Sequence, residues 1–457
     1  MREVQKSLDV TSGVIWRQLL TLCIPVLLSS LFQQTYALTN TWMVGRFAGK
    51  QALAAIQATV TLNDLVVGFS LGIGVGCGVV VSQYFGAHDS KKVSRAVHTA
   101  LGIALAGGVS FSVLGLFFVE RVLRAMGTPA DILGQSLQYA HAYMSALVFS
   151  IVFNTGSALQ RAVGDTRTPS LIVAGTCVVN VALDLVFVAW LQMGALGCGI
   201  ATASSLAVGA LVTLWQLTRT KEAWGVQLRS IRIDPSMAWL MVKTGLPLGV
   251  QTAVYAGSNI IIQSNINSFG SDAIAGWGLA TRLEAPVWMI SEALGSSVTT
   301  FAAQNFGARN IDRMRQGLRS SLLITLLIVG GVAALTVSAC EACGYFFVDD
   351  PSVVGFSTLV IRYMGPFYLF YSLMDNFAGT IRGAGESFRP MLLTILGTCA
   401  FRLVWLLAFV PMNHTLEAVL LSYPVSWVLT AALFVTYYRF GHWLRHAEEH
   451  EAERALR

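Results

Sequence analysis

Apolar runs recur along nearly the whole chain, each bounded by Gly, Pro, Asn or charged residues. They fall at about 16–44, 52–85, 96–119, 134–158, 169–191 and 194–217, and again at about 238–267, 274–303, 317–347, 354–380, 390–411 and 415–438. A helix of ~20 apolar residues crosses a bilayer, and helices or closed barrels are the only structures that satisfy their own backbone there. Twelve such spans with short loops use up the 457 residues and leave no soluble domain. Only 12% of the residues are charged and the mean hydropathy is +0.63, too little polar surface for a water-soluble globule of this size. The predicted fold class is therefore all-α: a polytopic membrane protein of twelve transmembrane helices.

The net charge of +6 does not point to nucleic acid, because Lys and Arg sit in short clusters between apolar runs and not on one basic face. With loops assigned alternately, 22 of the 30 fall on one side, among them Lys91, Lys92, Arg95, Arg229, Arg232, Arg313 and Arg315. Arg46, Lys50, Arg121 and Arg124 are all that the other side holds, so both termini are expected in the cytoplasm. The polar start, Met1 to Ser12, leads into an apolar run too long for a cleaved signal, which makes that run a first span. Seven cysteines, including the pair Cys340 and Cys343, lie mostly within apolar runs and form no disulfide or metal spacing.

An internal repeat organises these spans. Gln83-Tyr84-Phe85-Gly86-Ala87 returns 221 residues later as Gln304-Asn305-Phe306-Gly307-Ala308, and Arg161, Gly164 and Pro169 return as Arg382, Gly385 and Pro390. At an offset of 222, Pro25 returns as Pro247 and Gly175-Thr176-Cys177 as Gly397-Thr398-Cys399. Six spans is an even number, so both copies start on the same side and form parallel repeats, a plan found in transporters whose halves rock about a central site. The expected organisation is an N-terminal six-helix lobe at 1–217, a cytoplasmic linker at 218–237, a C-terminal six-helix lobe at 238–438 and a polar cytoplasmic tail at 439–457. The linker's length permits the lobes to move.

The duplicated Gln-x-Phe-Gly-Ala after the second and eighth spans, and Arg-x-x-Gly followed by Pro after the fourth and tenth, resemble the multidrug and toxic compound extrusion family over essentially the whole chain. The resemblance implies a V-shaped pair of six-helix bundles that export organic molecules, usually cations, in exchange for protons or sodium ions. It also implies multidrug efflux and xenobiotic export across a bacterial inner membrane, with small-molecule cargo, the lipid bilayer as surroundings and a monomeric protein.

A charged side chain near the bilayer centre costs on the order of 3 kcal/mol even on the lenient insertion scale, so each demands a reason. Asp64, Asp184, Arg282, Glu284, Glu292, Asp375 and Arg402 are the charges in question. Asp184 lies about 15 residues into a span entering from the cytoplasm, hence ~22 Å along it and in the outer half of the membrane. Asn180 is one turn below on the same face, Tyr36 and Asn40 share the same spacing at a similar depth on the first span, and Thr202 meets that depth on the sixth. These five fall on the positions of a cation site that the resemblance places in the N-terminal lobe. One departure stands out: Asn40 occupies a position where many relatives have Asp, so the coupling falls on Asp184 alone. A single carboxylate suits a proton, and amide and hydroxyl oxygens around it also suit sodium. The bland alternative is that Asp184 is hydrogen-bonded glue between helices.

Asp64 and Glu284 sit at nearly the same depth of equivalent spans and are read as cavity acids, with Glu284 alternatively paired to Arg282. Asp375 and Glu292 are further cavity candidates, and Tyr255 and Trp288 are aromatic faces on which a cation could stack. Five acids against two arginines favour cationic cargo. His442, His446 and His450 share helical spacing in the tail, but interleaved glutamates make this a solvated face and no metal site is expected. No Walker loop, zinc-protease motif or nucleophile elbow is present, so the protein is not expected to be an enzyme or to need a cofactor, and an ion gradient must supply the energy. Competing readings are a flippase for lipid-linked saccharides, a passive channel, and a membrane-embedded transferase using Asp349 and Asp350.

Overall fold

The computed structural model describes residues 7–413 and 415–444, and these are helical almost throughout. The first half contains α1 (Ile15–Met43), α2 (Gly49–Gly86), α3 (Ser90–Ala125), α4 (Ala130–Ser145), α5 (Leu147–Ala162), α6 (Arg167–Asp184) and α7 (Gly194–Arg219). The second contains α8 (Pro235–Asn267), α9 (Ser271–Gly307), α10 (Ile311–Phe347), α11 (Pro351–Met364), α12 (Tyr368–Gly383), α13 (Phe388–Thr394), α14 (Phe401–Ala408) and α15 (Leu416–Phe440). By length and hydropathy, eight stretches among the described residues can cross a membrane, or nine when α4 and α5, bent by 47°, are taken as one. The first of these, 15–86, contains a π-helical turn at Val44–Ala48 that divides α1 from α2, and the order of the helices is consistent with twelve spans. Large apolar side chains such as Phe117, Leu327 and Leu407 face outward, where lipid rather than water is their neighbour.

The repeat is visible in the turns. After α2 the amide of Ala87 bonds the Gln83 carbonyl, His88 takes a positive φ of 54°, and Asp89 caps α3 by accepting from the Lys92 amide. After α9 the amide of Ala308 bonds the Gln304 carbonyl, Arg309 takes φ 57°, and Asn310 caps α10 by accepting from the Arg313 amide. Short polar side chains at these caps satisfy amides that a helix start leaves without partners. The breaks also repeat: α4 gives way to α5 at Ala146, and α11 to α12 through a 3-10 turn at Gly365–Phe367 carrying Pro366. Spans four and ten, expected to be continuous, are thus each two helices.

The chain forms two compact units, residues 1–9 with 24–249 and residues 10–23 with 250–457. The divisions inside α1 and α8 fall beside Pro25 and Pro247, the repeat-related prolines. In the first unit Cys77, Val80, Val97, Leu159 and Met241 form one core, and Trp224 and Val226 from the segment after α7 are buried in it. That segment is pinned further where the Gln227 amide donates to His98 Nε2 at 3.1 Å and Asp234 pairs with Arg95. Gly76 lies so close to Met241 and Gly245 of α8 that no side chain fits there. The second unit is built around Phe306, Met314, Ile381 and Phe434.

Candidate functional site

In the first unit α1, α6 and α7 bring the five predicted ion-coupling residues together. Asp184 is 0% exposed at the last position of α6, where a π-helical turn, Leu185–Trp190, begins. Such turns mark functional positions because they free a backbone group and re-aim the side chains beside them. Asn180, one turn earlier, donates to Asp184 Oδ2 at 2.8 Å in the amide orientation that satisfies both of its ends. In that orientation its oxygen accepts from Ser205 Oγ at 2.9 Å and from the Thr202 amide at 3.3 Å. On α1, Asn40 Nδ2 donates to Tyr36 Oη at 2.9 Å, and Asn40 Oδ1 accepts from the Cys198 thiol at 3.3 Å. Tyr36 lies within electrostatic reach of both Asp184 and Cys198.

One oxygen here, Asp184 Oδ1, has no hydrogen-bond partner among the described residues. No ion pair to Asp184 is formed among them either. A buried acceptor without a partner is costly in apolar surroundings, and a carboxylate oxygen in that position can take a proton or a cation. The hard oxygens of Tyr36, Asn40 and Thr202 in the same cluster are of the kind that an alkali cation takes as ligands. Cys198, Ser205 and Tyr139, the last within reach of Asp184, join this cluster without any signal in the local sequence.

The predicted cavity residues divide between the units. Asp64 in the first is exposed, while its neighbour Asn63 is buried with Oδ1 lacking a partner among the described residues. In the second unit Glu284 is buried and accepts from Tyr368 Oη at 2.6 Å. The alternative pairing of Glu284 with Arg282 is not formed, because residues two apart on a helix point to different sides. Trp288 packs edge-on at 5.4 Å from Tyr368, 4.8 Å from Tyr371 and 5.7 Å from Trp427. Tyr371 lies within electrostatic reach of Tyr255, Asp375 and Glu292, so these predicted residues belong to one neighbourhood. Glu292 is exposed and Asp375 half-buried.

Asp349 and Asp350 immediately precede α11. Asp350 caps α11, accepting from the amide of Ser352 at 2.9 Å and its hydroxyl at 3.0 Å, and these bonds hold its carboxyl below the usual carboxylate range. Both bonds fall on Oδ1, the cap oxygen of α11. No group of three His, Cys, Asp or Glu suited to a metal occurs among the described residues; His446 and His450 lie outside them.

The sequence model of the family described as MatE matches residues 25–186 and 247–406, the two copies of the repeat. The chain is 27% identical to the "Probable multidrug resistance protein YoeA" of Bacillus subtilis (strain 168), over 93% of this chain and 94% of that protein. With the "Probable multidrug resistance protein YpnP" of the same organism it shares 25% identity over 96% and 98% of the two chains. Its fold is similar, at a TM-score of 0.90 and 19% identity, to a structure described as the outward-facing conformation of a multidrug resistance MATE family transporter of the MOP superfamily, covering 98% of this chain and 100% of that one.

Proposed function

The chain belongs to the MatE family, and from that premise we propose that it is a secondary active antiporter exporting amphipathic, cationic organic compounds in exchange for protons, with sodium as the alternative coupling ion. It works as a monomer in the bacterial inner membrane with both termini in the cytoplasm. The two Bacillus relatives named as multidrug resistance proteins support export of organic compounds. The observation that carries the coupling is Asp184: fully buried, held by Asn180, with one carboxylate oxygen left without a partner among the described residues. An exchanger needs a group whose charge differs between its two forms, and Asn40 in the same cluster cannot supply one.

Export of a fluorescent cation from proteoliposomes, under separately imposed proton, sodium and electrical gradients, tests this. One proton entering per monovalent cation leaving moves no net charge, so the pH difference should drive export and a membrane potential alone should not. Asp184→Asn is expected to abolish gradient-driven export while the protein still folds and is recovered in the bilayer. Undiminished export by that variant, or export driven by potential at equal pH, would move the coupling to Asp64, Glu284 or Asp375.

A further inference from the structure

Arg402 on α14 is only 3% exposed, yet it has no acidic partner among the described residues. Its Nε donates to Ser426 Oγ at 2.8 Å, and that hydroxyl in turn donates to the Tyr423 carbonyl at 2.8 Å. The guanidinium carbon lies 4.0 Å from the Tyr423 ring centre and 5.6 Å from that of Trp427. Nη2 has no hydrogen-bond partner among the described residues, and no ion pair to Arg402 is formed among them. Of the acids nearby, Glu284 takes the Tyr368 hydroxyl and the charges acting on Asp375 are Arg382 and Glu292, so neither pairs with Arg402.

A buried guanidinium without a counter-charge is strongly unfavourable, and aromatic faces offset only part of that cost because a ring gives Nη2 no acceptor. Two more polar groups point the same way. Tyr255 Oη and Ser258 Oγ, one turn apart on α8, are buried beside Thr398 and Cys399. Tyr255 lies within electrostatic reach of Arg402, and Ser258 lies beside Cys399, which is itself within reach of Arg402. A π-helical turn, Ile395–Ala400, ends two residues before Arg402.

We infer that Arg402, with the hydroxyls of Tyr255 and Ser258 and the faces of Tyr423 and Trp427, is an oxyanion subsite that takes the carboxylate or phosphate of an aromatic compound. The inference rests on the reading of the chain as an exporter of organic compounds and deepens it. Cargo would be amphoteric, its anionic group held at Arg402 and its ring on the neighbouring aromatics. Nη2 is covered in this conformation, so the anion is admitted in another conformation of the transport cycle.

Binding to the full-length protein in lipid nanodiscs tests this without any gradient, so a failure of ion coupling does not affect the result. The probes are rhodamine B, which has a free carboxylate, and its ethyl ester, followed by fluorescence anisotropy. Wild type should bind the acid more tightly than the ester, and Arg402→Gln should weaken the acid by about tenfold or more while leaving the ester unchanged. Competition by inorganic phosphate in wild type but not in Arg402→Gln would show that a free oxyanion also occupies the subsite; acid preference without such competition assigns it to a group borne by cargo. Equal losses for both dyes would make Arg402 structural and overturn the proposal. So would a wild type with no preference for the acid, a result that stands even if Arg402→Gln does not fold. Wild type that binds neither dye and is not stabilised by phosphate against thermal unfolding overturns it as well.

Discussion

Tyr36 meets Asn40 and Asn180 meets Asp184 because a helix returns its side chains to one face every fourth residue. That part of the site was legible in the sequence. Cys198 was not, since a cysteine inside an apolar run reads as a small core residue, and only the fold shows its thiol donating to Asn40. Glu284 illustrates the reverse. Its sequence neighbour Arg282 suggested a pair, whereas its partner is Tyr368, 84 positions away and invisible to local spacing. Glu284 is a buried acid that takes hydrogen bonds from the hydroxyl of Tyr368 and the indole of Trp288, so its charge is held within the unit's aromatic cluster. Glu284→Gln keeps the size and a hydrogen-bonding oxygen and removes only the charge. We therefore expect it, and Asp64→Asn by the same reasoning, to reduce transport of a cationic dye by about threefold to tenfold while sparing a neutral one. Dye efflux measured for both cargoes decides it, and equal losses would make these acids structural.

Element boundaries followed from chemistry that the sequence carries only in part. Caps such as Asp89 and Asn310 sit at the starts of runs, where short polar residues are expected. The π-helical turns at Val44–Ala48, Leu185–Trp190 and Ile395–Ala400 have no residue signature, because one extra residue per turn is fixed by what packs against the helix. The segment before α8 is another case: composition marked it as a linker, but Trp224, Val226 and Asp234 attach it to the first unit. Asp234 Oδ1 accepts from Ser236 Oγ at 2.6 Å, from the Met237 amide at 3.1 Å and from the Ser236 amide at 3.0 Å, and the carboxylate pairs with Arg95. Ser236 and Met237 first, then Arg95, hold its carboxyl below the usual carboxylate range. A lowered folded value means stability that is present above the unfolded value of about 3.9 and is lost as pH falls through the folded one. Asp234→Ala should cost about 1 kcal/mol at neutral pH, as for loss of a helix cap, and thermal unfolding should show the gap to wild type closing as pH drops below about 4. A gap that stays constant with pH would assign the loss to packing.

Across the whole molecule the sequence was most informative where the two halves say the same thing twice. Turns at His88 and Arg309, and breaks at Ala146 and Pro366, sit at matching positions, so the duplication read from Gln-x-Phe-Gly-Ala is a duplication of backbone geometry as well. Orientation is a different kind of property. It comes from the distribution of Lys and Arg during insertion and leaves no trace in the helices themselves. With an even number of spans in each copy, one fact sets the whole topology: if Arg229, between the halves, is cytoplasmic, the loop at Asp349 is outside, three spans later. Seven native cysteines would confuse a labelling test, and Cys343 is exposed close to Asp349, so the test belongs in a background with all seven replaced. In intact cells, Asp349→Cys should react with an impermeant maleimide, and Arg229→Cys should react only after permeabilisation. Reversed labelling would put both termini outside. Asp184 would then lie in the cytoplasmic half of the membrane, so this result would overturn the topology, while the coupling rests on the separate Asp184→Asn test because an exchanger opens its site to each side in turn and the gradients set the direction of flux.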